Sequence, residues 1–199
     1  MNVGLPMLVQ LLTPPITTQV TRLIVAQTVS VTALAEYGVL MQILIPAMGL
    51  VSAVGITLWP YYSGARGEGR DVRGPFQLSA LFLAAATVGV FGWVAVAPWL
   101  FDAMTGGTVE PSRAVVLCFG LQMAAQAALY PLGMYLMSPR GIRFQVVPAV
   151  LVCVSSLALV TFFAPSLGIV SVPLSVALST LIFQIVPFGA FILKEKKNG

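Results

Sequence analysis

The chain has 199 residues, of which 58 % are hydrophobic and 8 % charged, with no histidine and a formal charge of +4. Its ten Lys and Arg form no basic face with interleaved aromatics, which argues against nucleic-acid binding. Without histidine, and with no carboxylate deep in an apolar stretch, the usual intramembrane acid, base and metal chemistry is excluded as well.

Nearly all charges fall in short gaps between six long apolar stretches. A hydrocarbon core of about 30 Å, crossed at about 1.5 Å per residue, needs roughly 20 apolar residues. Six stretches meet that length, at about residues 5–29, 34–59, 75–100, 112–137, 142–164 and 167–193. A soluble helical protein would show apolar stripes of helical period, and barrel strands would alternate in segments of about ten residues. The expected fold is therefore an all-α integral membrane protein, residues 1–199 forming a single domain of six transmembrane helices.

The first stretch, LTPPITTQVTRLIVAQ at its centre, is the most informative. Pro14 and Pro15 remove two consecutive backbone donors, which predicts a kink or an unwound turn in mid-membrane. Arg22 is the one charge placed well inside a span. A central arginine costs about 2.5 to 3.5 kcal/mol on insertion scales, so such residues usually face a bundle interior or an aqueous cavity. Thr17 and Thr21 lie one turn apart, as do Thr18 and Arg22, and together they make a polar face. The alternative is that Arg22 snorkels to the outer headgroups, since about seven residues separate it from the helix end. The stretch lacks a basic n-region and is too long and polar for a cleaved signal peptide.

Trp59, Tyr61 and Tyr62 are expected to close the second helix at a membrane interface, and Trp93 and Trp99 lie toward the end of the third. SGARGEGRDVRG lacks the Gly-Lys-Ser/Thr ending of a phosphate loop and reads as a solvated turn. On the fourth helix Gln122, Gln126 and Tyr130 recur at four-residue spacing, a second polar line that suits the same cavity or interhelical hydrogen bonding. Cys118 and Cys153 read as small buried apolar residues. Ser171, Ser175 and Ser179 on the last helix read as a close-packing stripe.

Lys and Arg concentrate in cytoplasmic connections. Arg66, Arg70 and Arg73 follow the second helix, Arg140 and Arg143 the fourth, and Lys194, Lys196 and Lys197 the last, eight of the ten. The opposite connections hold only Arg113, beside Asp102 and Glu110. Both termini are therefore expected on the cytoplasmic side.

From Val20 to Gly69, the stretch VTRLIVAQTVSVTALAEYGVLMQILIPAMGLVSAVGITLWPYYSGARGEG resembles the first helical hairpin of a lobe in the polysaccharide-flippase branch of the multidrug/oligosaccharidyl-lipid/polysaccharide exporter superfamily. The matching features are the polar site at Thr21 and Arg22, a loop entering Ala35, Glu36, Tyr37 and Gly38, and a second helix ending at Trp59 and Pro60. SPRGIRFQ and LGIVSVPLSVALST are similar to later parts of the same family. The resemblance implies one six-helix lobe, closest to the C-terminal one, of a transporter built from two such lobes around a central cavity. It implies a lipid-linked oligosaccharide as substrate, membrane lipid and a second six-helix lobe as partners, and a bacterial cytoplasmic (inner) membrane. Arg22, Thr18, Thr21, Gln122 and Gln126 are the implied substrate-binding residues, with no cofactor and no covalent chemistry, so no enzyme. Thr21 stands where family members often carry an acidic residue, which weakens coupling to protons or sodium through this helix. A cation-coupled exporter of drugs or metabolites and a non-transporting membrane subunit are the alternatives.

Overall fold

The computed structural model describes residues 4–68 and 74–198, without the side chains of Lys196 and Asn198. Arg70 and Arg73, counted above among the basic connections, lie outside the described residues, as does the Lys196 side chain. The chain is all-α, with helices α1 (Gly4–Thr28), α2 (Val31–Ile56), α3 (Leu58–Gly67), α4 (Pro75–Thr105), α5 (Arg113–Tyr135), α6 (Pro139–Leu167), α7 (Ser171–Thr180) and α8 (Val186–Asn198). A 3-10 turn at Gly168–Val170 precedes α7, and a π turn at Leu181–Ile185 joins α7 to α8.

Short polar caps set the connections. The hydroxyls of Ser30, Ser112 and Ser138 accept from the N–H groups of Ala33, Val115 and Gly141 at the starts of α2, α5 and α6. Each satisfies one of the donors that a helix leaves unpaired at its N-terminus. Pro139, at the first position of α6, has the fixed φ that the helix needs and gives up no hydrogen bond there. At the other end Gly168 takes φ 56° and ψ −138°, a conformation open only to glycine, and turns the chain back so that α7 packs on α6. Ser155 on α6 donates to Ser179 on α7 at 2.9 Å, which fixes the antiparallel pairing.

Helix α5 is the centre of the arrangement, packing against α2, α4 and α7, while α1 lies along α6. Its inner face buries Val115, Val116, Phe119, Ala124 and Leu132. The distribution of polarity is inverted relative to a protein that faces water. Thr21, Ser156, Ser171, Ser175, Ser179 and Thr180 are all 2 % exposed or less, whereas Phe162 is 76 % and Phe91 73 % exposed. Such broad apolar exposure calls for a non-aqueous surround. Among the described residues four helical runs are long and apolar enough to cross a membrane: Val31–Gly67, Pro75–Thr105, Arg113–Tyr135 and Pro139–Glu195, the last of which reverses at Gly168. Helix α1, with its five threonines and three glutamines, is not among them.

Several sequence expectations need correction. The second helix does not close at Trp59 and Pro60: after one turn residue, Thr57, the chain continues as α3 to Gly67. Pro60 is the third residue of α3, inside the first turn, where its missing N–H would be unpaired anyway. Ser63 to Gly67 are thus helical and not part of a turn, and Ala35 to Gly38 lie within α2. Tyr62 is fully buried instead of sitting at an interface, with its ring 5.3 Å from Tyr135 in an edge-on contact. Trp93 is drawn into helix packing by a bond from its indole N–H to Val116 O at 3.2 Å. Arg140 and Arg143 fall in the first turns of α6, because the Ser138 cap starts that helix early. Pro14 and Pro15 produce no unwound turn: α1 is helical from end to end. The hydroxyls of Thr13, Thr17 and Thr18 donate to the carbonyls of Val9, Thr13 and Pro14 and brace the proline-containing turns.

Candidate functional site

A cavity of about 570 Å³ opens between α1, α2, α5, α6 and the α7–α8 helix. On α1, Thr17, Thr18 and Thr21 of the polar face read from the sequence line it, joined by Gln10 and Thr13. From Gln10 to Thr21 this wall extends about 16 Å along the helix axis. Helix α5 contributes Gln122, Gln126 and Tyr130, so the second polar line faces the same space. Of the five substrate-binding residues expected, Thr18, Thr21, Gln122 and Gln126 line the cavity.

Arg22 does not line it. The residue is half-buried at the Thr21 end, within electrostatic reach of Tyr37, whose ring does line the cavity. Among the described residues Arg22 has no hydrogen-bond or ion-pair partner. The helical step of about 100° between neighbours explains the split: Thr17, Thr18 and Thr21 turn one face inward, and Arg22 stands at its edge.

Lining residues that the sequence reading did not single out are Gln10, Gln145, Gln184 and a group of methionines. Gln184 sits inside the π turn, where each turn takes up one residue more than in an α-helix and the register shifts. A 3.6-residue pattern gives no signal for it. Gln10 and Gln145 bridge helices instead of repeating along one: Gln10 Nε2 donates to Ile142 O at 2.9 Å. Gln145 Nε2 donates to Gly133 O at 3.4 Å and Leu136 O at 3.2 Å. Gln126 Nε2 reaches across to Thr180 Oγ1 at 3.2 Å, so Gln126 serves both readings given above, cavity wall and interhelical bond. Met41 and Met48 on α2, Met123 and Met134 on α5 and Met137 just after it add apolar lining.

Tyr130 is held in place from behind by Gly55, where a Cβ would lie 2.8 Å from the ring. Comparison with family models, curated proteins and solved structures returns no match. The reading of this site therefore rests on its geometry. Among the described residues no three of Cys, Asp and Glu come together to hold a metal ion. Cys118 and Cys153 are both half-buried free thiols.

The serine stripe is fully interior. Ser171 donates to Gly168 O at 2.6 Å, Ser179 accepts from Ser155, and the Ser175 hydroxyl is buried without a partner. Small side chains there let α7 approach α6 closely.

Proposed function

We propose that this chain is a six-helix transmembrane lobe that carries a lipid-linked oligosaccharide across a bacterial cytoplasmic membrane in company with a second six-helix lobe. The observation that carries the reading is the cavity itself: a space of about 570 Å³ whose threonine and glutamine wall lies inside a shell of lipid-compatible side chains. A glycan needs such a polar interior, because the hydrocarbon layer offers its hydroxyls nothing in return for lost hydration. The isoprenoid or acyl tail needs none and stays in the bilayer. Arg22, at the cavity end, would balance the phosphate charge next to the glycan, and rocking of two lobes would alternate access. No step forms or breaks a covalent bond, so the protein is a transporter and not an enzyme. A cation-coupled exporter is less well supported, since no Asp or Glu among the described residues lines the cavity.

In this reading α1, α2 with α3, α4, α5, α6 and α7 with α8 are the six crossings, with both termini cytoplasmic. The orientation is checked by cysteine labelling after Cys118 and Cys153 are replaced by alanine. Ser63, Thr108 and Ser166 are exposed. Cysteines at Thr108 and Ser166 should react with an impermeant maleimide added outside intact cells, and one at Ser63 only after permeabilisation. Labelling of Ser63 alone from outside would invert the orientation.

The function is tested in liposomes holding a fluorescent lipid-linked oligosaccharide. The chain by itself should leave the label in its original leaflet, because six helices wall only one side of a two-lobed path. Adding a matching lobe should move it. Rapid movement by the isolated chain would replace the two-lobe reading with a homo-oligomeric carrier, and no movement with any lobe would remove the transport reading.

A further inference from the structure

The two arginines near the start of α6 share one narrow face of that helix with a run of aliphatic residues. Positions three or four apart lie on the same side of a helix, and Arg140, Arg143, Val147, Val150, Leu151 and Val154 follow that spacing. All six are exposed. The opposite side of the same stretch, with Gly141, Ile142, Gln145 and Ala149, is buried in the bundle. From Arg143 to Val154 the stripe rises about 16 Å, close to the depth of about 15 Å that half of a hydrocarbon core provides. A charged head and one leaflet's length of apolar contact are therefore stacked on a single surface.

Helix α8 flanks the charged end. The Arg140 guanidinium lies 5.9 Å from the centre of the Phe191 ring, and Phe191 stacks on Phe144 of α6 at 4.3 Å. A ring holds a guanidinium by its flat face and leaves its N–H edge free. Lys194, one turn beyond Phe191 on the same side of α8, is exposed as well. Among the described residues Arg140, Arg143 and Lys194 have no ion pair, and their side chains donate no hydrogen bond. The described acid of α8 is Glu195, half-buried one turn from Phe191 and without an ion pair among the described residues. Set against the three cations it leaves a net charge of +2, to which Lys197 adds. Arg66 and Glu68 belong to the end of α3, where Arg66 Nη1 is committed to Tyr135 O at 2.9 Å. No residue in the first turn of α6 is acidic. Like charges this close along a helix repel, so the arrangement calls for an anion from outside the chain.

We propose that the outer face of α6 beside α8 is a binding site for one phospholipid of net negative charge, its phosphate between Arg140, Arg143 and Lys194 and an acyl chain along Val147, Val150, Leu151 and Val154. The apolar stripe favours a lipid over a free phosphate ion, which would use the charged end alone. Net charge favours an anionic lipid over phosphatidylcholine, whose own ammonium would meet the same three cations. None of these residues lines the cavity, so the site goes beyond the transport reading and does not rest on it.

The test places a reporter on the stripe. The full chain, with Cys118 and Cys153 replaced by alanine and a single cysteine at Val147, is labelled with bimane and reconstituted in phosphatidylcholine vesicles. Phosphatidylglycerol or phosphatidylcholine carrying a nitroxide near the start of one acyl chain is then added, and it quenches the label only from an adjacent position. At Val147, phosphatidylglycerol should reach half-maximal quenching at a membrane fraction at least about fivefold lower than phosphatidylcholine, the effect of a single Lys or Arg near the surface. Leu12 is the comparison position: it is exposed on α1, which runs along α6 and carries no charge before Arg22. A label there should show no preference. Replacing both Arg140→Gln and Arg143→Gln should bring the ratio at Val147 to about one. Arg113→Gln, which removes the same charge before the start of α5, should leave it unchanged.

Equal quenching by the two lipids at Val147 would overturn the site. An equal phosphatidylglycerol preference at Leu12 would overturn it too, by reducing it to a general attraction of the whole bundle for anionic lipid, as would an unchanged ratio in the folded double variant. Glycerol phosphate in the aqueous phase should reduce the preference no more than sodium chloride of equal ionic strength; a larger reduction would make the occupant a soluble phosphate compound and remove the lipid. The comparison of two lipids at two positions keeps both arginines, so it decides the matter even if the double variant fails to fold. Failed flipping in liposomes would leave this result standing, and loss of the lipid preference would leave the transport reading untouched.

Discussion

Replacing Gly141 with alanine is expected to destabilise the protein by about 3 kcal/mol or more, and to strip most of it from the folded fraction recovered from membranes. A Cβ at this position would overlap the Leu136 carbonyl, a backbone group that no side-chain rotation can move. That carbonyl is also the hub of the α5–α6 connection, accepting from Ser138 N at 2.8 Å and from Gln145 Nε2 at 3.2 Å. Gly141 itself donates to the Ser138 cap at 3.1 Å. Overpacking alone typically costs about 1 to 3 kcal/mol, loss of a serine cap about 1 kcal/mol, and each buried hydrogen bond about 1 kcal/mol. The control is Gly64→Ala on α3, where nothing lies within 4 Å of the added methyl. That change should be neutral or slightly stabilising, since alanine is favoured over glycine in a helix by about 1 kcal/mol. Thermal midpoints of the two detergent-solubilised variants make the comparison, and equal midpoints would show that the connection relaxes freely.

The same connection illustrates what a sequence yields and what it withholds. The apolar runs were legible in part, because the length needed to cross hydrocarbon is a physical constant: among the described residues four long apolar runs stand where six were expected, the first stretch not among them, and the expected start at residue 75 is where Pro75 opens α4. The polar face of α1 was legible because helical period places Thr17, Thr18 and Thr21 together, and all three line the cavity. Boundaries decided by local hydrogen bonding were harder. Pro60 reads as a stop, yet within a first turn it removes nothing that a helix uses, so α3 runs on to Gly67. Pro14 and Pro15 read as a break, yet threonine hydroxyls brace the neighbouring turns. The lining methionines were invisible because they come from α2, α5 and the turn after it, which no single-helix pattern connects. Gln184 was hidden by the π turn. Whether Arg22 turned into the cavity or stood beside it depended on one helical step, finer than an amphipathic pattern resolves.

On the proposed transport function, Arg22→Ala is expected to abolish glycan export while leaving the protein's membrane abundance normal or slightly raised. The side chain is half-buried, it has no hydrogen-bond or ion-pair partner among the described residues, and it stands next to Tyr37 at one end of the cavity. Among the described residues no hydrogen bond or ion pair depends on it, so its removal breaks none. Insertion of the helix should become easier, by up to about 2.5 to 3.5 kcal/mol for a residue at the bilayer centre. If the guanidinium meets the phosphate next to a glycan seated in the cavity, its loss removes a charge-assisted contact, typically worth about 1.5 to 3 kcal/mol. That corresponds to a loss of more than tenfold in apparent affinity for a lipid-linked oligosaccharide. Arg22→Lys separates charge from geometry, since lysine keeps the positive charge but not the planar fork that grips phosphate at two points. It should retain part of the export that alanine loses. The measurement is export in a reconstituted two-lobe transporter, normalised to the amount of protein in the membrane. Full export by Arg22→Ala would mean that the arginine serves only to reach the outer headgroups.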